Sequence, residues 1–253
     1  MSRRGVEVGD HARWVFNRLA ADYAARPGYP APLVARLLEL GGGPGARVVE
    51  LGAGTGLLAL PLARAGAAVH AVEPAARMLE VLAAAAAGLP AVTPVHAAGE
   101  ATGLPGGAFD LAVAADALHW IEPEAGGREV ARLLAPGGAA AVVEVRLATT
   151  PFLDALAARL ADFNPRARPG PPPVGRFLAL ACPGGAVATE PFPHEARLSP
   201  ERLDAVLRSN SLVGPALGPA ALAALLAEVR ALAASHGGAV WRRELLLHWA
   251  RRS

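Results

Sequence analysis

The residues of this chain best suited to chemistry are Glu50, Gly52, Gly54, Gly56 and Glu73. Residues 48–56 read Val-Val-Glu-Leu-Gly-Ala-Gly-Thr-Gly, an apolar run entering a glycine turn that opens a helix. Without a Cβ, glycine lets the backbone approach a ligand closely and adopt positive φ. Further on, His70-Ala71-Val72-Glu73-Pro74 ends a second apolar run in a carboxylate. An acid at that point is placed to accept hydrogen bonds from both ribose hydroxyls of a nucleoside. Singly, the turn is a tight strand-to-helix connection and Glu73 a surface acid. Together they point to a nucleoside site.

The turn also narrows the choice of nucleoside. A dinucleotide fingerprint, GxGxxG, would need its third glycine at position 57, which is Leu57. Here the glycines alternate at 52, 54 and 56, with Glu50 two residues before the first. A carboxylate beside the turn repels a pyrophosphate and suits a ligand carrying an ammonium group. An NAD-dependent oxidoreductase is therefore the weaker enzyme reading. The reading from another class is a nucleoside-binding regulatory protein without catalysis.

Composition excludes several other chemistries. The 253 residues contain about 60 alanines and no lysine or glutamine, so all 24 basic side chains are arginine. That skew fits a GC-rich coding sequence. Without lysine there is no Schiff-base attachment and no Walker A lysine. One cysteine, Cys182, allows no disulfide framework and no CxxC site, and the seven histidines show no metal-binding spacing, so no metal is expected. The pI near 9.3 accompanies a net charge of only +2 and scattered arginines, which argues against a nucleic-acid partner. No stretch reads as an export signal or a membrane span, and a cytoplasmic protein is expected.

The elements that must position these residues alternate in a βα rhythm. Helices are expected over 12–25 and 30–40, split by the turn Arg26-Pro27-Gly28-Tyr29. Strands are expected over 47–51, 68–72, 92–96, 111–115 and 139–145, with helices over 57–65, 75–87 and near 127–134. Uninterrupted apolar strands between helices imply a parallel sheet covered on both faces. After residue 150 the rhythm changes: a helix over 151–163, a proline-rich loop over 168–175, a strand over 189–198, helices over 200–208 and 219–235, and a strand over 239–249. One domain is expected, with a helical lid (1–45), a cofactor-binding core (46–147) and a C-terminal elaboration (148–253).

The motif E-x-G-x-G-x-G followed by an acid at the next strand end resembles the class I S-adenosylmethionine-dependent methyltransferases. The likeness continues in order. Residues 99–105, Gly-Glu-Ala-Thr-Gly-Leu-Pro, resemble the loop that holds the adenine, and Ala117-Leu118-His119-Trp120 the A-x-H-W segment after the fourth strand. Residues 133–138, Leu-Leu-Ala-Pro-Gly-Gly, resemble the turn before the fifth strand. Upstream, Tyr23 with Arg26-Pro27-Gly28-Tyr29-Pro30 resembles the entry of the trans-aconitate-methyltransferase-like small-molecule enzymes. Arg208-Ser209-Asn210-Ser211 resembles that subgroup's R-S-x-S segment. The resemblance implies an α/β, Rossmann-like sheet of seven mostly parallel strands, ordered 3-2-1-4-5-7-6, with the last strand antiparallel and helices on both faces.

It also implies roles. S-adenosyl-L-methionine is the cofactor, and the partner is a small molecule methylated on oxygen, nitrogen or carbon. Glu50 faces the methionyl amino group, while Gly52, Ala53 and Gly54 form the close turn and Glu73 takes the ribose. Pro74 and Met78 pack near the adenine, and Gly99 and Glu100 lie at its edge. Asp116 stands where the subgroup often has glutamine, so it faces either cofactor or substrate. His119 is either a general base or a pocket wall beside Trp120. Tyr23 sits at the cofactor, and Trp14, Phe16 and Tyr29 join it as lid aromatics that exclude water or anchor the lid. Arg26 holds an anionic group or fixes its turn.

Overall fold

A computed structural model describes residues 8–163, 172–211 and 213–252; the side chains of residues 8–14 and 163 lie outside it. Two helices, α1 (Val8–Tyr23) and α2 (Ala31–Leu40), precede the sheet. Pro32 sits in the first turn of α2, where its missing N–H leaves no bond unmade. Leu33, Leu37 and Leu40 form the buried stripe of α2 at helical spacing. Each contributes roughly 1.5–3 kcal/mol by leaving water.

The alternating part follows as β1 (Arg47–Leu51), α3 (Ala59–Arg64), β2 (Ala68–Val72), α4 (Ala76–Ala85), β3 (Val92–Val95) and β4 (Phe109–Ala115). A 3-10 turn, Leu118–Trp120, leads to α5 (Pro123–Leu133) and β5 (Leu134–Leu147). Then come α6 (Pro151–Phe163), α7 (Val174–Ala181), β6 (Ala188–Leu198), α8 (Pro200–Arg208), α9 (Pro219–Ser235) and β7 (Ala239–Arg251).

The seven strands form one sheet in the order β3-β2-β1-β4-β5-β7-β6, as expected. β1 to β5 pair in parallel, and β7 runs antiparallel to both β5 and β6. Successive residues of the central strands feed opposite faces. Val48, Leu111 and Val113 meet α2 and α3 on one side, while Val49, Ala112 and Ala114 meet α5 and α7 on the other. A third apolar cluster joins α6, α8 and α9 at the start of β7. The chain order reverses between β1 and β4, so the carboxyl ends of these two strands border a crevice, where open α/β sheets place their ligands.

Four local readings change. α5 begins at Pro123 rather than near 127, because Glu122 caps it by accepting the N–H groups of Glu124 and Ala125. β5 starts at Leu134, before the Pro136-Gly137-Gly138 turn, which is absorbed as a register shift against β4. The helix expected over 57–65 begins two residues later, because residues 54–58 continue the turn. The proline-rich segment over 168–175 runs partly outside the described residues and ends in α7, whose Phe177, Leu178 and Ala181 are buried. Among the described residues no helix is long and apolar enough to cross a membrane.

Candidate active site

The glycine turn closes tightly over β2. Gly52 and Ala53 both donate their N–H groups to Val72 O at 2.9 Å. Gly52 has φ of 73°, and a Cβ there would stand 2.6 Å from the Cβ of Ala117. At Gly54, with φ of 56°, a Cβ would stand 3.5 Å from the Tyr23 ring. The turn is thus pressed between the segment after β4 and helix α1.

Glu73 is 6% exposed and held at both oxygens. Its Oε2 accepts the Gly54 N–H and its Oε1 the Ala75 N–H, each at 2.8 Å. Burial pushes its pKa up against those two bonds. It lines a cavity of about 90 Å³ with Gly52, Gly54, Pro74, Met78, Gly99 and Glu100. Phe16, Tyr23 and Trp120 close this space from the lid side. Phe16 meets Trp120 edge-on at 5.1 Å and Tyr23 at 6.1 Å, geometries that aromatic quadrupoles favour. α1 is anchored there by Leu19 and Ala20 against Ala75 and Met78, and by Asn17 Oδ1 accepting the Arg77 N–H.

The loop after β3 is braced from α5. Glu129 Oε1 accepts both the N–H and the hydroxyl of Thr102, and Arg132 binds Glu129 and Leu104 O. Arg132 and Thr102 together bring the Glu129 pKa down to about 2. Glu100 Oε1 accepts the Glu122 N–H. Gly99 and Glu100, at the start of this loop, therefore face the cavity from a fixed backbone.

A second, wider cavity of about 370 Å³ adjoins the first, and Tyr23 and Asp116 line both. Asp116 has φ of 52°, a left-handed conformation that costs a non-glycine residue about 1 kcal/mol or more and is typical of functional strain. Burial raises its carboxyl pKa, opposed by Arg26, whose Nη1 lies 3.8 Å from Oδ2. Arg26 stacks over the Tyr23 ring at 4.4 Å and donates to the hydroxyl and carbonyl of Ser209. Tyr29 lines the same space, and burial holds its phenol well above the ordinary pKa, so it stays neutral.

Arg243 completes the polar end. It is 7% exposed and donates to Gly28 O and His194 Nδ1, and its Nε has no partner. Burial draws its pKa below the usual guanidinium value. Much of the remaining lining is apolar: Leu153 and Leu156 from α6, Val206 and Leu207 from α8, Val145 from β5 and Trp241 from β7.

Nine predicted cofactor residues thus border the narrow cavity: Tyr23, Gly52, Gly54, Glu73, Pro74, Met78, Gly99, Glu100 and Asp116. Trp120 joins them there, while Arg26 and Tyr29 line the wide one. Three expected residues line neither. Ala53 packs its methyl into the core, and its N–H is taken by Val72 O. Glu50 is 2% exposed beneath the turn, where its carboxylate accepts the Ala59 N–H and its Oε2 has no partner. His119 is exposed and tilts against the Trp120 ring at 5.0 Å, because the 3-10 turn sends consecutive side chains in different directions. The Trp14 side chain lies outside the described residues. Arg243 was not anticipated, since Arg242-Arg243 reads as a short charge run. The available signal was strand alternation: 243 falls in phase with Leu245 and Leu247, both fully buried.

Residues 49–142 match the family model described as a methyltransferase domain. An uncharacterized methyltransferase of Mycobacterium tuberculosis is 35% identical over 113 residues, 45% of this chain and 44% of that protein. The match thus spans less than half the length of the curated relative. Among solved structures, a candidate type II methyltransferase from Anaeromyxobacter dehalogenans is 27% identical, with a TM-score of 0.64 over 90% of this chain and 97% of that one. The phosphoethanolamine N-methyltransferase 2 of Haemonchus contortus, solved in complex with S-adenosyl-L-methionine, superposes with a TM-score of 0.56 at 13% identity. It covers 100% of this chain and 61% of that one, a likeness of fold.

Proposed function

We propose that this chain transfers the methyl group of S-adenosyl-L-methionine to an oxygen, nitrogen or carbon of a small molecule. The observation that carries the reading is Glu73, a buried carboxylate fixed at both oxygens by the backbone of the glycine turn and of Ala75, on the floor of the narrow cavity. The methyltransferase-domain match over 49–142 covers that turn, Glu73 and the loop through Glu100.

The residues present suit this cofactor. Glu73 keeps lone pairs free for the ribose hydroxyls, and Pro74 and Met78 provide an apolar seat for the adenine beside Gly99 and Glu100. Beneath the turn, the Glu50 Oε2 has no partner and is an acceptor available to an ammonium group, whose charge would favour the ionised carboxylate that burial disfavours. Gly52 stands where a Cβ would clash, and both Gly52 and Gly54 take the positive φ the turn requires. When bound, the cofactor supplies an electrophilic sulfonium methyl. The chain's own task is positioning and exclusion of water, which can contribute about 7–11 kcal/mol. Phe16, Tyr23 and Trp120 shut the narrow cavity, and Tyr23 adds a ring face suited to a sulfonium, worth about 0.5–2 kcal/mol. Asp116, whose carboxyl burial pushes toward the neutral form against the pull of Arg26, borders both spaces.

The finer placement near the trans-aconitate-methyltransferase-like enzymes is supported by where its two motifs meet. Tyr23, Arg26 and Tyr29 line the wide cavity, and Ser209 of the R-S-x-S segment holds Arg26. We read the chain as one domain, since β6 and β7 complete the sheet begun by β1 to β5, and as a cytoplasmic protein from its sequence. Calorimetry with S-adenosyl-L-methionine and with NAD tests the proposal. Binding of the first alone is expected; tight NAD binding would overturn it. Binding without S-adenosylhomocysteine release across a panel of carboxylates, phenols and amines would favour the regulatory reading.

A further inference from the structure

The wide cavity has two chemically different halves. Its apolar half is built from side chains of α6, α8 and β7, among them Leu153, Leu156, Leu207 and Trp241. A charge placed there would lose its hydration without gaining a partner, at a cost of several kcal/mol. That half accepts hydrocarbon and rejects a second or third ionised group.

The polar half has more positive than negative charge. Asp116 is matched by Arg26 at 3.8 Å. Arg243 has no carboxylate within 4 Å among the described residues; its partners are the neutral Gly28 O and His194 Nδ1, and its Nε has none. With Nη2 taken by Gly28 O and His194 Nδ1 and Nε sealed off, Nη1 is the donor it turns to an incoming carboxylate. An anion arriving here would complete a buried ion pair whose other half is already in place.

Size and orientation narrow the class further. About 370 Å³ holds on the order of a dozen non-hydrogen atoms at roughly 30 Å³ each. Tyr23 and Asp116, common to both cavities, belong to the polar half, and Arg26 stacks on Tyr23. The head group of an occupant, not its tail, therefore faces the narrow cavity.

Building on the methyl-transfer reading above, we propose that the acceptor is an amphipathic monocarboxylic acid. Arg243 holds its carboxylate beside the Arg26–Asp116 pair, and its hydrocarbon body lies along the wall of α6, α8 and β7. In the reaction a carboxylate oxygen forms a bond to the methyl carbon as the carbon–sulfur bond breaks. The electron pair of that bond stays on sulfur, giving a methyl ester and a neutral thioether with no proton released. No general base is needed.

Calorimetry on the full chain tests this with decanoate, decan-1-ol and citrate, each with and without saturating S-adenosylhomocysteine, alongside S-adenosyl-L-methionine itself. Decanoate is expected to bind in both conditions at least about tenfold tighter than decan-1-ol, and citrate not measurably. Methyl decanoate is expected by mass spectrometry when S-adenosyl-L-methionine is added. Arg243→Met is expected to weaken decanoate about tenfold or more while leaving S-adenosyl-L-methionine affinity within about twofold. Because Arg243 also ties Gly28, Ala157→Trp provides a second arm: Ala157 is an exposed position lining the apolar half, and the indole would fill it. Equal binding of decanol, preference for citrate, or no decanoate binding overturns the inference. Decanoate binding without S-adenosyl-L-methionine binding would instead sink the methyl-transfer reading and leave the acid site standing.

Discussion

Glu73 Oε2 accepts the Gly54 N–H at 2.8 Å, tying the residue just past β2 to the glycine turn that leaves β1. One carboxylate thus sets the turn's shape and borders the cavity the turn was expected to form.

Removing that carboxylate should act on binding. Glu73→Ala deletes a charged acceptor and leaves the Gly54 and Ala75 N–H groups without it. Hydrogen bonds to charged groups contribute about 1.5–3 kcal/mol, so S-adenosyl-L-methionine affinity is expected to fall roughly 10- to 150-fold by calorimetry. Affinity unchanged from the parent chain would refute the ribose contact.

Glu50 predicts a pH dependence. Burial, with Glu73 nearby, raises its pKa from the ordinary value near 4.5 to about 8 in the folded protein. Between those values the folded state binds more protons than the unfolded one, so the ligand-free protein should lose stability as pH rises from about 5 to 8. The slope for one such proton is at most about 1.4 kcal/mol per pH unit. Melting temperatures across that range should fall more steeply for the parent chain than for Glu50→Gln. Parallel curves would show that Glu50 does not titrate there.

Gly52 has no room for a side chain. Alanine at φ of 73°, with its Cβ 2.6 Å from that of Ala117, combines left-handed strain of roughly 1–2 kcal/mol with overpacking of roughly 1–3 kcal/mol. Gly52→Ala is expected to lower stability by about 2–5 kcal/mol in urea denaturation. A loss under about 0.5 kcal/mol would mean that the turn and the Ala117 segment move apart freely.

The pair His119 and Trp120 should separate under mutation. His119 is exposed and lines neither cavity, whereas Trp120 borders the narrow one and receives the Phe16 edge. Turnover of His119→Ala is expected within about threefold of the parent, with an unshifted pH profile. Trp120→Ala is expected to weaken S-adenosyl-L-methionine about tenfold, because an aromatic pair worth roughly 0.5–1.5 kcal/mol is lost with the closure it provides. A His119→Ala variant that lost the alkaline limb of the profile would restore the histidine as general base.

Much of the sheet and half of the site are legible in the sequence, because their causes are local. Glycine alternation at 52, 54 and 56, an acid closing the next apolar run, and strand–helix alternation are each set by residues within a few positions of one another. The strand order beyond that alternation came from family resemblance, and the fold agrees with it. Arg243 could not be singled out this way. Its isolation depends on β7 running antiparallel beside β5 and on which of two adjacent arginines turns inward. The placement of His119 is hidden for a related reason: a short 3-10 turn scatters neighbouring side chains, and no periodicity in three residues reveals the direction.

By itself, then, the sequence determined the turn, the two acids and the helix–strand rhythm, which short-range sterics and hydrogen bonding dictate. Only the tertiary structure decided that α6, α8 and β7 wall a second cavity and that Tyr23 and Asp116 border both. It also decided that a buried guanidinium stands there with no carboxylate within 4 Å among the described residues. Those facts depend on long-range packing, where residues more than a hundred positions apart meet because their apolar faces leave water together.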